Sequence, residues 1–340
     1  MRVWLPLIST GGGADVLTEA LRRALERRGH EGIPYLAAHH NQYFPWGQRR
    51  VPAPPGTDVV VTHSWFGAGF HRPPVPLVVI EHLFTPDPAA RPHRSPAQSL
   101  FHEVLVRRLV ASSYRRAAAT VAVSDATRQQ IERHFPAVRP RVIRNGVDLD
   151  HFRPPPAPRA APSPAAGGRP LRLLFVGNLI RRKGVDLLPP IMAALGPDFE
   201  LLYTSGLRTD TRLERVANAR SLGRLDRDGM RRAYWEADLL LFPSRMEGLP
   251  LAVMEAAACG LPAVVSDASS MPESVVDGTT GRVCPADDVA AFAAAVRALA
   301  ADPPALAAMG AAARRFAERA FDLERMTAEY IDLFEEVRRP

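Results

Sequence analysis

Lys183, in the stretch NLIRRKGVDLL, is the single lysine of this chain; the other 42 of its 43 cationic side chains are arginine. A lysine kept where arginine serves everywhere else marks a place that asks for an ammonium. That group is a compact donor on a flexible stem, able to follow charge onto a leaving phosphate, where the planar guanidinium fork adapts less. The alternative is a solvated basic loop, because Arg181 and Arg182 stand beside it. A second group lies in FPSRMEGLPLAVMEAAACG. Glu247 precedes a Gly-Leu-Pro turn, and Glu255 sits on the helix that follows. Carboxylates accept paired hydrogen bonds from adjacent sugar hydroxyls, so two can hold two sugars; the alternative is that both merely favour the start of a helix. Third, Gly11, Gly12 and Gly13 separate a strand from a helix in LISTGGGADVL. Glycines there let the backbone approach a ligand, and the helix offers free N–H groups, which suits a phosphate; a tight turn also explains them. The dinucleotide pattern G-x-G-x-x-G is absent, and no acidic residue ends the next strand. Fourth, His63 (DVVVTHSWFG) and His82 (PLVVIEHLFTP) each end an apolar strand. A lone histidine is more often structural, but the carboxyl end of a strand is where α/β folds bind ligands. The other histidines form no metal spacing.

Short β-rich runs alternate with helical patterns, which predicts parallel sheets wrapped by helices. In the first half the strands read as Arg2–Ile8, Ile33–Leu36, Asp58–Thr62, Leu77–Glu81, Ala119–Val123 and Arg141–Arg144. Helical patterns fall at about Ala14–Arg28, Leu100–Arg116 and Asp125–His134. The stretch RPPPAPRAAPSPAAGGRP (Arg153–Pro170) has six prolines in its first twelve residues and reads as a semi-extended linker. The pattern then restarts. LRLLFVGN, FELLYTSG, DLLLFPS, PAVVSD and GRVCP read as strands, and a helix is expected from near Gly184. Pro250 suits the first turn of a helix running to about Cys259, with Gly260 as its C-terminal cap. Helical patterns at Asp287–Ala301, Pro303–Glu318 and FDLERMTAEYIDLFEEVRR close the chain. The expected fold is α/β: two doubly wound parallel-sheet domains facing across a cleft, a common place for a ligand.

Composition fits that reading. A chain of 340 residues, 46% hydrophobic and 23% charged, is long enough for two globular domains. The two cysteines, Cys259 and Cys284, are too few for a disulfide framework and lack zinc spacing, so a reducing cytosol is expected. The opening MRVWLPLIST runs straight into the glycines and reads as a strand, not a signal peptide. No apolar run approaches the ~18 residues of a membrane span. The net charge of +7 suggests anionic partners such as nucleotide phosphates, an acidic glycolipid or a membrane surface, unless it only reflects arginine-rich codon usage.

Taken in order, these stretches resemble the retaining glycosyltransferases of the GT-B fold, specifically glycosyltransferase family four (glycosyl transferases group 1). STGGGADVLTEALRRALERRGHE resembles the family's opening loop and helix. VAVSDATRQQI and RVIRNGVDLDHF resemble its mid-chain landmarks. LLFVGNLIRRKGVDLL resembles its phosphate-binding loop, and GRLDRDGMRRAYWEADLLLFPSRMEGLPLAVMEAAACGLPAVVS its donor site. The tail from Phe321 resembles the last helix, which crosses back to the first domain. The E-x7-E pair Glu247/Glu255 in its Gly-Leu-Pro context is the most specific element.

The resemblance implies an acceptor-side domain of residues 1–153 plus 321–340, a linker at 154–170 and a donor-binding domain at 171–320. It implies that Lys183 stabilises the leaving diphosphate and that Glu255 takes the ribose hydroxyls. Glu247 and the backbone of Gly248, Leu249, Pro250 and Leu251 would hold the donor sugar. The loop Gly11–Gly13 would approach the diphosphate, and the backbone about Arg224 and Leu225 would meet the base. His82, with His63, would lie on the acceptor side, His82 over the sugar. The family often has arginine after the strand-end glycine where this chain has Asn178. Arg181 or Arg182 would then supply the second cation. The implied activity is metal-independent transfer of a hexose from a nucleotide-diphosphate sugar, UDP-sugar first and GDP-mannose second. The acceptor would be a sugar hydroxyl in polysaccharide, lipopolysaccharide or glycolipid synthesis. The setting would be cytoplasmic, at the inner face of the membrane, with no nucleic-acid partner. Alternatives are a sugar-nucleotide-binding protein that has lost transfer, a transferase acting on a natural product, or a nicotinamide enzyme. Leu100, Phe101, Val104, Leu105 and Leu109 at helical spacing, with Arg107, Arg108, Arg115 and Arg116, predict weak docking to an anionic membrane; a core helix with a basic face explains them too.

Overall fold

The computed structural model describes residues 1–9, 12–43, 45–93, 95–157, 168–206 and 211–339. The chain divides into two units, Met1–Gly146 with Leu323–Pro340, and Val147–Asp322.

The first unit is built on six parallel strands: β1 (Arg2–Ile8), β2 (Glu31–Ala37), β3 (Val59–His63), β4 (Leu77–Glu81), β5 (Ala119–Ala122) and β6 (Arg141–Val142). Their order is β2-β1-β3-β4-β5-β6. The central strands are covered on both faces, which is why VVVT and LVVI read as continuous apolar runs rather than alternating ones. The helices are α1 (Gly13–Arg27), α2 (Gly67–Phe70), α3 (Pro96–Phe101), α4 (Arg107–Tyr114) and α5 (Asp125–His134). Trp4, Ile8, Val60, Phe70, Val79, Val110 and Ile131 form the core. The helix expected over Leu100–Arg116 starts earlier, at Pro96, because Ser95 and Gln98 form a reciprocal capping box. A π-helical turn, His102–Val106, separates α3 from α4.

The second unit also has six parallel strands: β7 (Leu171–Phe175), β8 (Phe199–Thr204), β9 (Ala219–Gly223), β10 (Leu239–Phe242), β11 (Ala263–Ser266) and β12 (Gly281–Cys284). Their order is β12-β11-β10-β7-β8-β9. The helices are α6 (Leu188–Leu195), α7 (Arg227–Glu236), α8 (Leu251–Ala258), α9 (Met271–Ser274), α10 (Val289–Ala300) and α11 (Pro303–Ala320). Leu173, Phe175, Ile191, Leu201, Leu241, Val264 and Phe292 are buried together. Strand β9 was not expected; it is a largely exposed edge strand, ARSLG, with no apolar run to announce it.

Most element ends differ from the sequence reading by one or two residues, and two boundaries of the second unit differ by more. The helix expected from Gly184 begins at Leu188. Gly184 is left-handed, at φ +75°, which interrupts the turn, and α6 then takes a proline in its first positions, where a missing N–H costs nothing. The second unit begins at Val147 rather than after residue 153. The Val147 N–H donates to Phe321 O at 2.7 Å, Arg227 pairs with Asp148 at 2.8 Å, and Arg314 Nη1 donates to Phe152 O at 2.9 Å. Residues 158–167 of the proline-rich stretch lie outside the described residues. The last helix, α12 (Leu323–Arg338), belongs to the first unit, where Glu324 meets Arg27 and Arg28 at 2.8 and 3.0 Å and Arg338 meets Asp58 at 2.8 Å.

Candidate functional site

In the second sheet, β7 leads outward to β8 and β9 on one side, and its other neighbour, β10, leads to β11 and β12. The loops after β7 and β10 therefore leave the sheet at its switch point, where doubly wound folds bind ligands. These loops carry Lys183 and Glu247. Lys183 ends a 3₁₀ turn, Arg181–Lys183. Gly184 closes that turn against β10: a Cβ there would stand 2.1 Å from Pro243 O. Arg245, which the sequence reading missed, holds the loop down. Its N–H donates to Arg182 O at 2.9 Å, and its guanidinium grips Asp186 in two bonds of 2.7 and 3.0 Å.

Lys183 Nζ stands 2.6 Å from Glu247 Oε1 and 5.0 Å from the centre of the Phe242 ring. The same carboxylate oxygen accepts the Ser244 hydroxyl at 2.7 Å and lies 3.7 Å from Arg182 Nη1. Arg182 Nη1 also donates to Met246 O. The Glu247 carbonyl accepts the hydroxyls of Ser269 and Ser270 at 2.7 and 3.0 Å. Burial lowers the Lys183 ammonium below its ordinary value, partly offset by Glu247. Burial alone would raise the Glu247 carboxyl, but the charges of Lys183 and Arg182, with hydrogen bonds from Lys183 and Ser244, hold it below its usual range. Two cations thus share one carboxylate, and the cluster carries an excess positive charge. Of the two arginines the sequence offered, Arg182 joins this cluster; Arg181 is directed to Asp186, 3.8 Å away. Asn178 does not extend like a cation: its amide lies against Gly206, where an added Cβ would meet Oδ1 at 1.8 Å.

Gly248, Leu249 and Pro250 are buried and lead into α8, which starts at Leu251 with no side-chain cap. Its first N–H groups face out of the helix end. Gly260, at φ +74°, follows the helix as expected. Glu255, on α8, does not join the Lys183 cluster. It is 9% exposed, and its Oε2 accepts the Tyr234 hydroxyl at 2.7 Å. Burial raises its carboxyl to about 7, with Tyr234 and Arg227 opposing the rise. Arg224, exposed, and Leu225, half-buried, lie between β9 and α7, whose N-terminus Asp226 caps. The sequence signals for Ser244 and Arg245 were present in FPSRMEG; Tyr234 gave none.

In the first unit, Gly12 precedes α1 with no side-chain cap. A Cβ added at Gly13, the first residue of the helix, would meet no described atom within 4 Å. Gly11 lies outside the described residues. Ser9 Oγ donates to Asp15 Oδ2 at 2.7 Å. His63 closes β3 and His82 follows β4; their ring centres are 4.6 Å apart at an interplanar angle of 67°. His63 Nε2 and both ring nitrogens of His82 are buried without a hydrogen-bond partner. Burial lowers His63 to about 4 and His82 well below its ordinary value, the latter with a contribution from His63, so both rings are neutral at pH 7. Beside them, Glu81 is buried against the Tyr114 hydroxyl at 2.6 Å, and burial raises it to about 7. Cys259 and Cys284 are buried thiols that burial pushes up to about 12 and about 11. Among the described residues no group of three or more His, Cys, Asp or Glu side chains is placed to hold a metal ion.

Two family descriptions match the chain: "Glycosyltransferase Family 4" over residues 32–151 and "Glycosyl transferases group 1" over residues 170–302. The glycogen synthase of Mycobacterium tuberculosis is 36% identical over 191 residues, 53% of this chain and 44% of that protein. A GDP-mannose-dependent alpha-(1-6)-phosphatidylinositol monomannoside mannosyltransferase of Mycolicibacterium smegmatis is 33% identical over 215 residues, 57% of this chain and 56% of that protein. The chain thus spans about half the length of these two curated relatives. Among solved structures, the sucrose-phosphate synthase of Thermosynechococcus elongatus superimposes with a TM-score of 0.82 at 18% identity, covering 99% of both chains. Anabaena Alr3699/HepE, in complex with UDP-glucose, gives a TM-score of 0.77 at 17% identity, covering 99% of this chain and 100% of that one. With two six-stranded parallel sheets of this order, and the two family descriptions matched in sequence one after the other, the chain has the GT-B fold and belongs to the family 4, group 1 glycosyl transferases.

Proposed function

We propose that this chain is a retaining glycosyltransferase that moves a hexose from a nucleotide-diphosphate sugar to a sugar hydroxyl. The observation that carries the reading is the sharing of Glu247 by Lys183 and Arg182 at the switch point of the second sheet, which leaves a cationic excess beside an uncapped helix start. A diphosphate is the ligand that such a cluster suits.

In this mechanism the bond between the anomeric carbon and the phosphate oxygen breaks, and its electron pair goes to the β-phosphate. Lys183 and Arg182 stabilise that charge as it develops, where stabilisation accelerates transfer. The acceptor hydroxyl forms the new bond from the face the leaving group departs, so configuration is retained. Its proton passes to the leaving phosphate, the base that appears on that face. Glu247 and the backbone from Gly248 to Leu251 hold the sugar, and Glu255 takes the ribose hydroxyls. The backbone about Arg224 and Leu225 meets the base. Asn178 and the loop Gly11–Gly13 border the diphosphate, and His82 and His63 serve the acceptor side. No metal is needed, because cationic side chains hold the phosphates.

UDP-glucose, bound by HepE, and GDP-mannose, named for the mycolicibacterial relative, are the first donors to try, in that order. The acceptor is a saccharide or glycolipid of cell-surface synthesis, met at an anionic membrane surface on the cytoplasmic side. Leu100 and Val104 are 65% and 48% exposed, close to exposed Arg107 and Arg108, which supports that surface. Among the described residues no single helix is long and apolar enough to cross a membrane. The test is donor turnover with a panel of sugar acceptors and the anomeric configuration of the product by NMR. Transfer with retention supports the reading. An inverted product, or nucleotide binding without transfer to any acceptor, overturns it.

A further inference from the structure

In the second unit the Tyr234 hydroxyl donates to Glu255 Oε2 at 2.7 Å and joins α7 to α8. Both residues are buried, Tyr234 at 1% exposure. The direction of the bond is fixed, because an ionised carboxylate can only accept. The ring that carries the hydroxyl is itself held. Phe152 meets it edge-on, with ring centres 6.0 Å apart at an interplanar angle of 71°. Arg227, on the same face of α7, lies over Phe152 at 5.5 Å and pairs with Asp148 at 2.8 Å. A phenylalanine would fill the Tyr234 site as well, so packing alone does not call for the hydroxyl there. A carboxylate has about four acceptor positions, and Tyr234 takes one, which leaves room for a pair of neighbouring ligand hydroxyls.

We propose that Tyr234 is a positioning residue for the nucleotide: its hydroxyl holds the Glu255 carboxylate in the orientation that receives the two ribose hydroxyls, and so sets the preference of this chain for ribonucleotide donors. The proposal rests on the reading of Glu255 as the ribose acceptor. The bond also favours the charged carboxylate, which is the stronger acceptor. Burial raises Glu255 to about 7, and the Tyr234 bond and the Arg227 charge oppose that rise. The groups around it do not titrate in that range. Burial lifts the Tyr234 hydroxyl well above its ordinary value, and the Cys259 thiol, one turn along α8, to about 12. Arg227 of α7 faces Glu255, and Arg231 of α7 and Arg314 of α11 face Cys259; arginines keep their charge throughout. Loss of the Tyr234 hydroxyl therefore lifts Glu255 further, and ribose binding then needs a higher pH.

The test is calorimetric titration of the full chain with UDP, GDP and their 2′,3′-dideoxy analogues, which lack both ribose hydroxyls, between about pH 6 and about pH 9. The ratio of the two affinities is the readout, because the diphosphate titrates alike in both ligands and cancels. Wild type should prefer the ribonucleotide about 100-fold at high pH, and the preference should grow through about pH 7. Tyr234→Phe keeps the ring against Phe152. It should lower the preference about tenfold near neutral pH and move the midpoint of its rise up by about one pH unit. Glu255→Gln should lose most of the preference and all of its pH dependence, and adding Tyr234→Phe to it should change neither. A preference or a midpoint that stays at the wild-type value in Tyr234→Phe overturns the proposal and leaves the reading of Glu255 standing. A wild-type preference in Glu255→Gln, or no binding of either nucleotide by folded wild type, overturns both. If Tyr234→Phe does not fold, a crystal structure of wild type with bound nucleotide decides. Both ribose hydroxyls and the Tyr234 hydroxyl should then meet the Glu255 carboxylate, and a Tyr234 turned away from it refutes the proposal.

Discussion

Lys183 Nζ and Glu247 Oε1 are 2.6 Å apart, and Arg182 reaches the same oxygen from 3.7 Å. The lone lysine is therefore not a solvated charge. Its stem runs past Gly177, whose added Cβ would stand 3.6 Å from Cε, and its ammonium lies over Phe242. A planar guanidinium in its place could not present the same compact donor to Glu247 and to a phosphate. Lys183→Arg, although it keeps the charge, should lower kcat by about 100-fold or more, the cost of losing one well-placed donor to developing charge. Steady-state rates with a saturating donor check this. An arginine variant as active as wild type would mean that the lysine has no special task.

Glu247 competes with a diphosphate for the same two cations. Glu247→Gln should therefore bind UDP about five- to tenfold more tightly, while transfer falls because the sugar loses its carboxylate. Calorimetric titration with UDP, beside a transfer assay, separates the two effects. Weaker UDP binding by the variant would show that Glu247 positions Lys183 rather than restraining it.

Glu255 and Glu81 are both raised to about 7 by burial. A carboxyl whose folded value lies above its unfolded value binds more protons when folded. It stabilises fully below the unfolded value and loses that contribution as pH rises through 7. Unfolding free energy should thus fall between about pH 5 and 7, by up to about 1.4 kcal/mol per unit for each group. Glu255→Gln and Glu81→Gln should each flatten part of that slope in urea titrations at several pH values. Donor affinity should rise through pH 7 as Glu255 ionises, and Glu255→Gln should abolish that rise. A slope unchanged in both variants would contradict the assignment.

Much of this was legible in the sequence. Strands β1 and β4 and helix α5 have the expected bounds, because buried parallel strands are unbroken apolar runs and Ser124 marks the helix start by accepting from the Thr127 N–H. What was not legible depended on distant partners. Strand β9 has no burial pattern of its own. The unit boundary at Val147 is set by a bond to Phe321, and the Glu255–Tyr234 bond joins two helices. The choice of Arg182 over Arg181 at Glu247 follows from the turn at Gly184, whose left-handed backbone no periodicity announces. The lysine, the E-x7-E pair and the strand-end histidines were visible as types and spacings; their mutual contacts were not.

Gly184 tests the loop geometry. Gly184→Ala must place a Cβ on Pro243 O at a φ of +75°. It should destabilise the second unit by about 3 kcal/mol or more and displace Lys183. Thermal unfolding with and without UDP reports both effects. A variant of unchanged stability would show that the loop is not packed against β10 as described.

The exposed pair Leu100 and Val104 with Arg107, Arg108, Arg115 and Arg116 should bring the chain down with anionic vesicles and not with neutral ones. Replacing the four arginines by glutamine should abolish co-sedimentation. Equal binding by both forms would remove the membrane from the account.

The most direct measurement is calorimetric titration of wild type and Lys183→Ala with UDP-glucose and GDP-mannose. Wild type should bind one of them, and the variant should bind it about 10- to 100-fold more weakly, the loss of one charge-assisted hydrogen bond to phosphate. Equal affinity in the two proteins, or no binding of either donor by folded wild type, would contradict the claim that Lys183 marks the diphosphate site.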